Sequence, residues 1–514
     1  MKKLYPALGV ALAALLLAAC QVPGALGVGS LKIAVPAPAS LKAATTSGQG
    51  NLIRIQLVRN GVVVPLGGQN YLQQGLAGQT ITVDSLPTGT NYKVYVASGQ
   101  TATNGSGFFE TSYFAASDPF EISAGTSTSV SVTLNATPVS IIEDSASANH
   151  AAVSYSGILY FINGSAFSYV SSGDPAIVTS SPLVPGYLAS AGASGAKVYS
   201  VSNDGYGFWF NTDQGILWFN SDGTFQSVST GTGALTVWAS GAVTLSNGTG
   251  PVLGYYYGSG LTAAVAPANS SSVAPFNSGD PTWTTLTAML SLNQGSSLQT
   301  ALNKLNQAVL GVATDGYNYA YLSTGIGTIR LDTSLLNSAA ADPTTLGTNL
   351  QNGNDGHGNS ILVATSDGTL VGPVSTYSNK SSQAFAFAGT TKGLYGSSVT
   401  IDKGLPSNGT LPLLGDTLGL NITSLATRAY STSYGAPDKA YTAAYSATTN
   451  EVLIYKNLNL FKRLPALAGL PSGTPQFTWY VYSSSGTTYL VLVIAGSDAT
   501  VEYQADNWAY TPPT

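Results

Sequence analysis

The chain has 514 residues, with 18 basic and 23 acidic side chains and a formal net charge of −5. Only 8% of its residues are charged, against roughly 25% in an average soluble domain, and Lys197 is the one basic residue between Lys93 and Lys304. No basic stripe is present to follow a phosphate backbone, which excludes nucleic acid as a partner; a hydrophobic fraction of 44% suits large cores and excludes a disordered chain.

The first residues, Met1-Lys2-Lys3, are followed by an apolar run from Leu8 to Ala19. That run is too short to remain as a membrane-spanning helix and fits the hydrophobic stretch of an export signal. It ends in Leu17-Ala18-Ala19-Cys20, which resembles the lipobox of bacterial lipoproteins. The resemblance implies that residues 1–19 are a removable signal peptide and that Cys20 becomes the first mature residue. Its thiol would carry a diacylglyceryl group, and further acylation of palmitate type would make the anchor stable. Cys20 is the only cysteine, so the mature fold has no disulfide, and the covalent lipid is the only cofactor expected. Without Lys2 and Lys3, sixteen basic residues face twenty-three acidic ones. The expected location is outside the cytoplasm, tethered by lipid to the cell membrane or outer membrane. Gln21, rather than aspartate, follows the cysteine, a pattern that in Gram-negative lipoproteins implies passage to the outer membrane.

Residues 20–30 are rich in Pro, Gly, Ala and Val and read as a tether. Residues 31–136 read as a run of about seven short strands without a helix pattern, hence a β-sandwich. Leu52 to Val58 meets Val62-Val63-Val64 across Asn60-Gly61, a two-residue hairpin signal because both turn residues tolerate positive φ. The stretch Leu86-Pro87-x-Gly89-x-x-Tyr92-x-Val94-x-Val96 resembles the prealbumin-like and immunoglobulin-like modules found near the N-termini of envelope lipoproteins. That resemblance implies a spacer or adhesive domain.

Asn135-Ala136-Thr137-Pro138 marks a boundary, and residues 137–514 repeat one unit: a small or apolar strand, a Gly-containing turn, and a second apolar strand. Examples surround Ser156-Gly157, Asp222-Gly223, Asp315-Gly316, Asp367-Gly368 and Ser485-Gly486. Such hairpins are what four-stranded propeller blades are built from, so an all-β chain is expected, with the sandwich followed by a β-propeller-like domain of six to eight blades. One exception is Ser297 to Val309, whose apolar residues fall at helical spacing and predict a short inserted helix.

Candidate chemistry is sparse. His150 and His357 are the only histidines, and neither has the companions a zinc site needs. The clusters Asn203-Asp204, Asn211-x-Asp213 and Asn220-x-Asp222 lack a full calcium-loop pattern and read as hairpin turns, so no metal is expected. The five glutamates, Glu110, Glu121, Glu143, Glu451 and Glu502, nominate no pair facing across a cleft as glycoside hydrolysis requires. No residue is assigned a catalytic role. All six tryptophans lie after residue 137; most read as core, while Trp283 and Trp508, beside polar turn residues, are the candidates for stacking on a ligand. These observations predict a lipid-anchored envelope protein that binds or scaffolds, offering a propeller face to a protein or glycan. The alternatives are a glycoside hydrolase or lyase with carboxylates at the propeller axis and, less supported because its motifs are missing, an assembly factor for outer-membrane proteins.

Overall fold

The computed structural model describes residues 27–36, 52–75, 80–147, 149–203, 207–229, 240–243, 253–258, 261–267, 309–314, 319–324, 327–332, 362–365, 374–378, 384–399, 410–430 and 439–509. The chain divides into two units: Met1–Gln100 with Thr111–Thr137, and Thr101–Glu110 with Pro138–Thr514. Residues 1–19, Cys20, Trp283, His357 and residues 297–308 of the expected helix lie outside the described residues; Val309 begins a strand.

In the first unit the strands are β1 (Val28–Ala34), β2 (Leu52–Arg59), β3 (Val62–Val64), β4 (Leu72–Gly75), β5 (Thr80–Pro87), β6 (Gly89–Thr101), β7 (Phe109–Ala116), β8 (Phe120–Ile122), β9 (Ser127–Ser131) and β10 (Asn135–Ala136). The first begins within the stretch expected to be tether. It pairs antiparallel with β5 and parallel with β9, while a second sheet runs β10-β7-β6-β2-β3, with β4 on β2 and β8 on β6. Inward residues of both sheets meet in one core, Leu31 and Ile33 from the first with Ile53, Ile55, Val94 and Val96 from the second. Asn60 and Gly61 both have positive φ, 51° and 81°, as the turn chemistry requires.

The Leu86 to Tyr92 stretch has a mechanical explanation. Tyr92 is fully buried and its hydroxyl donates to the Pro87 carbonyl at 2.5 Å, fastening the corner between β5 and β6 as a tyrosine corner does. The Arg59 guanidinium crosses the same corner, 5.3 Å from the Tyr92 ring centre. Gly89 has a φ of 152°, a conformation that favours glycine over residues with a side chain.

The second unit contains β11 (Val139–Glu143), β12 (Ala152–Tyr155), β13 (Ile158–Asn163), β14 (Ala166–Val170), β15 (Ser181–Pro185), β16 (Val198–Asn203), β17 (Gly207–Thr212), β18 (Gly215–Asn220), β19 (Phe225–Ser229), β20 (Ser240–Val243), β21 (Leu253–Gly258) and β22 (Leu261–Pro267). They are followed by β23 (Val309–Thr314), β24 (Tyr319–Thr324), β25 (Gly327–Asp332), β26 (Leu362–Thr365), β27 (Val374–Ser378), β28 (Ala384–Gly389), β29 (Leu394–Val399), β30 (Thr410–Leu411), β31 (Ile422–Tyr430), β32 (Lys439–Ser446), β33 (Glu451–Lys456), β34 (Asn459–Pro465), β35 (Gln476–Ser484), β36 (Thr487–Ala495) and β37 (Thr500–Ala509). Among the described residues they form seven sheets: β12–β15, β16–β19, β20–β22, β23–β26 with β30, β27–β29, β31–β34, and β11-β37-β36-β35.

Two relationships organise these sheets. Their first strands follow one another as neighbours, β12 to β16, β20, β23, β27, β31 and β35, and β35 lies beside β12 again. The last sheet takes its fourth strand from the start of the unit: β11 pairs with β37, Val139 opposite Tyr503 and Ser140 opposite Glu502. The middle strands β33 (EVLIYK) and β36 (TTYLVLVIA) are buried on both faces, which is why they are almost continuously apolar rather than alternating. Shared cores join β12–β15 to β16–β19 through Phe167, Phe208 and Phe210, and β31–β34 to the last sheet through Tyr441, Trp479 and Leu492.

Candidate functional site

Several groups of ionisable side chains stand out in a chain with so few charges. The first is Glu143, at the end of β11, and His150, just before β12. Their Oε2 and Nδ1 atoms are 2.8 Å apart, and both side chains are sealed from solvent. Burial alone would raise the Glu143 carboxyl, but the hydrogen bonds from His150 and Ser145 outweigh it and hold the group below its ordinary range. The Ser145 N–H donates to Oε1 at 2.6 Å. Neighbouring Asn149 accepts from the Val198 N–H at 2.7 Å and donates to the Ala196 carbonyl at 2.9 Å. The loop between β11 and β12 is thereby fixed to the entrance of β16.

Glu502 on β37 forms the second group, with Asp174 from the loop between β14 and β15. Glu502 is only 5% exposed. Burial, followed by a hydrogen bond and repulsion from Asp174, pushes its carboxyl up to about 9. Its raised value favours the neutral acid near pH 7, and it stands in the joint where Tyr480 of β35 is fully buried. In β31–β34, a further buried carboxylate, Glu451, accepts from Arg463 Nη1 at 3.2 Å. The same guanidinium donates to the Asp416 carbonyl at 3.0 Å. These groups fasten sheets and loops.

The third group is partly open to solvent and lies between β31–β34 and the last sheet. Asp506 accepts from the hydroxyl of buried Tyr441 and from Lys456 Nζ at 3.4 Å, with Lys439 Nζ at 3.9 Å. Burial acts to raise the Asp506 carboxyl; the Tyr441 and Asn507 hydrogen bonds and the two ammonium groups together hold it below its ordinary range. The Lys456 Nζ is 5.4 Å from the Tyr441 ring centre and 5.5 Å from that of Phe461. The Phe461 ring meets Tyr441 edge-on, 6.4 Å centre to centre, yet Phe461 is 47% exposed.

Two β-bulges create this arrangement. Gln504 opposes Val491 while Asp506 opposes Leu490, leaving Ala505 as the extra residue, so that Asp506 and Trp508 are turned toward Tyr441. In β34, Leu460 opposes Tyr455 while Lys462 opposes Ile454, leaving Phe461 as the extra residue. Bulges re-aim side chains in this way and are common beside functional sites. Trp508, expected to be exposed, is instead half-buried against the core that contains Tyr441 and Trp479. Neither Phe461 nor the acid–base partners of Asp506 were identifiable from spacing, because a bulge leaves no period to detect.

Among the described residues no group of three or more His, Cys, Asp or Glu side chains is placed to hold a metal ion, and no helix is long and apolar enough to cross a membrane. No protein-family description matches the chain, and no curated protein matches it. Distant likenesses exist among solved structures. The extracellular domain of a putative hybrid two-component system from B. thetaiotaomicron is 10% identical with a TM-score of 0.36 over 69% of this chain, which spans 38% of that one. A chain of the COPII outer coat vertex on membranes gives 10% identity and a TM-score of 0.40, covering 73% of this chain and 86% of that one. The Pan2 WD40 domain of Neurospora crassa gives 10% and 0.34, covering 71% and 90%. At this distance the likenesses carry no inference about activity.

Proposed function

We propose that the chain is a lipid-anchored cell-envelope binding or scaffolding protein, held by acylated Cys20 and built as a sandwich followed by a seven-bladed propeller. In this reading β11 closes the propeller by completing the last blade, and the first strands line its axis. The observation that carries the reading is the chemistry of those seven strands. None contains aspartate or glutamate, and Arg428 is their single charge; they offer Ser, Thr, Asn, Gln and Tyr. Such a wall supplies hydrogen bonds and rings for recognition and no acid pair for glycoside cleavage. The described buried carboxylates stand on third or outer strands, Glu143 on β11, Glu451 on β33 and Glu502 on β37.

Two measurements test the proposal. Cells expressing the full chain and fed an alkyne-tagged palmitate should label the protein, and Cys20→Ser should abolish the label. A soluble form beginning at Gln21 should bind an envelope polysaccharide or a detergent-solubilised envelope protein saturably and release no reducing ends from the polysaccharide. Steady release of reducing ends would replace the reading with an enzyme.

A further inference from the structure

The joint between β31–β34 and the last sheet combines features that ordinary packing does not require. An aromatic ring, Phe461, is 47% exposed at a bulge and braced edge-on by Tyr441. Among the described residues, the two ammonium groups of Lys439 and Lys456 stand beside it around the one carboxylate of Asp506. Lys439 Nζ, 3.9 Å from Asp506 Oδ2, is beyond hydrogen-bond reach of that oxygen. Its side chain and that of Lys456 are about one-third exposed, at 35% and 31%. Asp506 fixes the spacing of the two lysines, and both bulges bring their side chains to the same place.

We infer that this joint binds a carboxylate-bearing polysaccharide: Phe461 stacks on the apolar face of a uronic acid ring, and Lys439 and Lys456 receive its carboxylate. The inference rests on the binding reading above and names the ligand class. A ring accounts for the exposed phenylalanine, which a purely ionic site does not need, and the paired lysines account for a negative rather than a neutral sugar. Asp506 acts by positioning the lysines, and half-buried Trp508 supports the same wall.

Titration of the soluble chain with polygalacturonate, its methyl ester and poly-glutamate tests this. The expected result is saturable binding of polygalacturonate that weakens with salt, with much weaker binding of the ester and of poly-glutamate. Phe461→Ala should weaken binding about tenfold, as loss of a stacked ring does, and Phe461→Trp should retain it. Lys439→Gln should weaken it roughly threefold at low salt and flatten the salt dependence. Both positions are solvent-facing, so unchanged unfolding midpoints would show that the variants fold. Equal binding of acid and ester, equal binding of poly-glutamate, or indifference to Phe461→Ala would overturn the inference. If polygalacturonate fails while another envelope glycan or protein binds, this site falls and the broader reading stands. If nothing from the envelope binds, both fall.

Discussion

The Nδ1 atom of His150 lies 2.8 Å from Oε2 of Glu143, with both side chains closed to solvent, and this contact fastens β11 to the approach of β12. Removing one partner strands a buried charge or dipole, which costs about 3–5 kcal/mol, whereas replacing both with apolar residues recovers much of the loss. His150→Leu should therefore lower the denaturant midpoint of the second unit strongly, and Glu143→Leu combined with His150→Leu should restore part of it. With Glu143→Leu measured alone as well, a double-variant loss equal to the sum of the two single losses would show that the pair is uncoupled.

Glu143 and Glu502 predict opposite pH effects on either side of the ordinary carboxylate range. Glu143 is held below its unfolded value of 4.5, so its contribution is present above that value and is lost as pH falls through the lower folded one. Glu502 is raised from 4.5 to about 9, so its contribution is complete below pH 4.5 and is lost progressively as pH rises toward 9. Thermal midpoints should fall from mildly acidic to alkaline pH and fall again in acid. Glu502→Gln should flatten the alkaline side without altering the acid side. An unchanged alkaline slope in that variant would assign it to other groups.

Arg463 joins Glu451 to the turn containing Asp416, and Tyr455 donates to Asp416 Oδ1 at 3.0 Å. Arg463→Ala leaves Glu451, 3% exposed, without its cation. A loss of about 2–4 kcal/mol is expected in equilibrium unfolding. Arg463→Lys should recover only part, because one ammonium cannot reproduce the fork that meets Glu451 and the Asp416 carbonyl together.

Two hairpin turns have room for improvement. Ser156-Gly157 and Ser485-Gly486 each connect adjacent strands through two residues, all with positive φ: 50° and 77° in the first, 51° and 76° in the second. Asparagine tolerates the first position better than serine. Ser156→Asn and Ser485→Asn should each stabilise by roughly 0.5 kcal/mol, visible as higher unfolding midpoints; Asn60-Gly61 already has that chemistry.

The features legible in the sequence were largely local. The Asn60-Gly61 hairpin and the repeated strand–turn–strand unit depend on neighbouring residues, and the turn chemistry is written in their identities; the Tyr92 to Pro87 hydrogen bond is a contact the structure adds. The pairing of Val139 with Tyr503 was not legible, because β11 and β37 are separated by most of the chain and either strand could pair elsewhere. His150 showed in the sequence only as a histidine without zinc-site companions; its burial beside Glu143, with Asn149 gripping the start of β16, depends on contacts beyond its sequence neighbours. Trp508 read as exposed from its polar neighbours, but one extra residue at Ala505 exchanges the faces of the residues after it. The same cause hid Phe461 and Asp506, so the candidate site was less readable than the fold class.

The pairing of β11 with β37 also constrains how the protein is made. The circuit of sheets cannot be completed until residues 500–509 have left the ribosome, so the last sheet's outer strand must wait unpaired, its polar edge open, while nearly everything after it is synthesised. Pairing across so long an intervening chain is slow, and an unpaired edge invites wrong partners. A nascent chain arrested before β37 should therefore be protease-sensitive and prone to association, acquiring resistance only when that final strand is added.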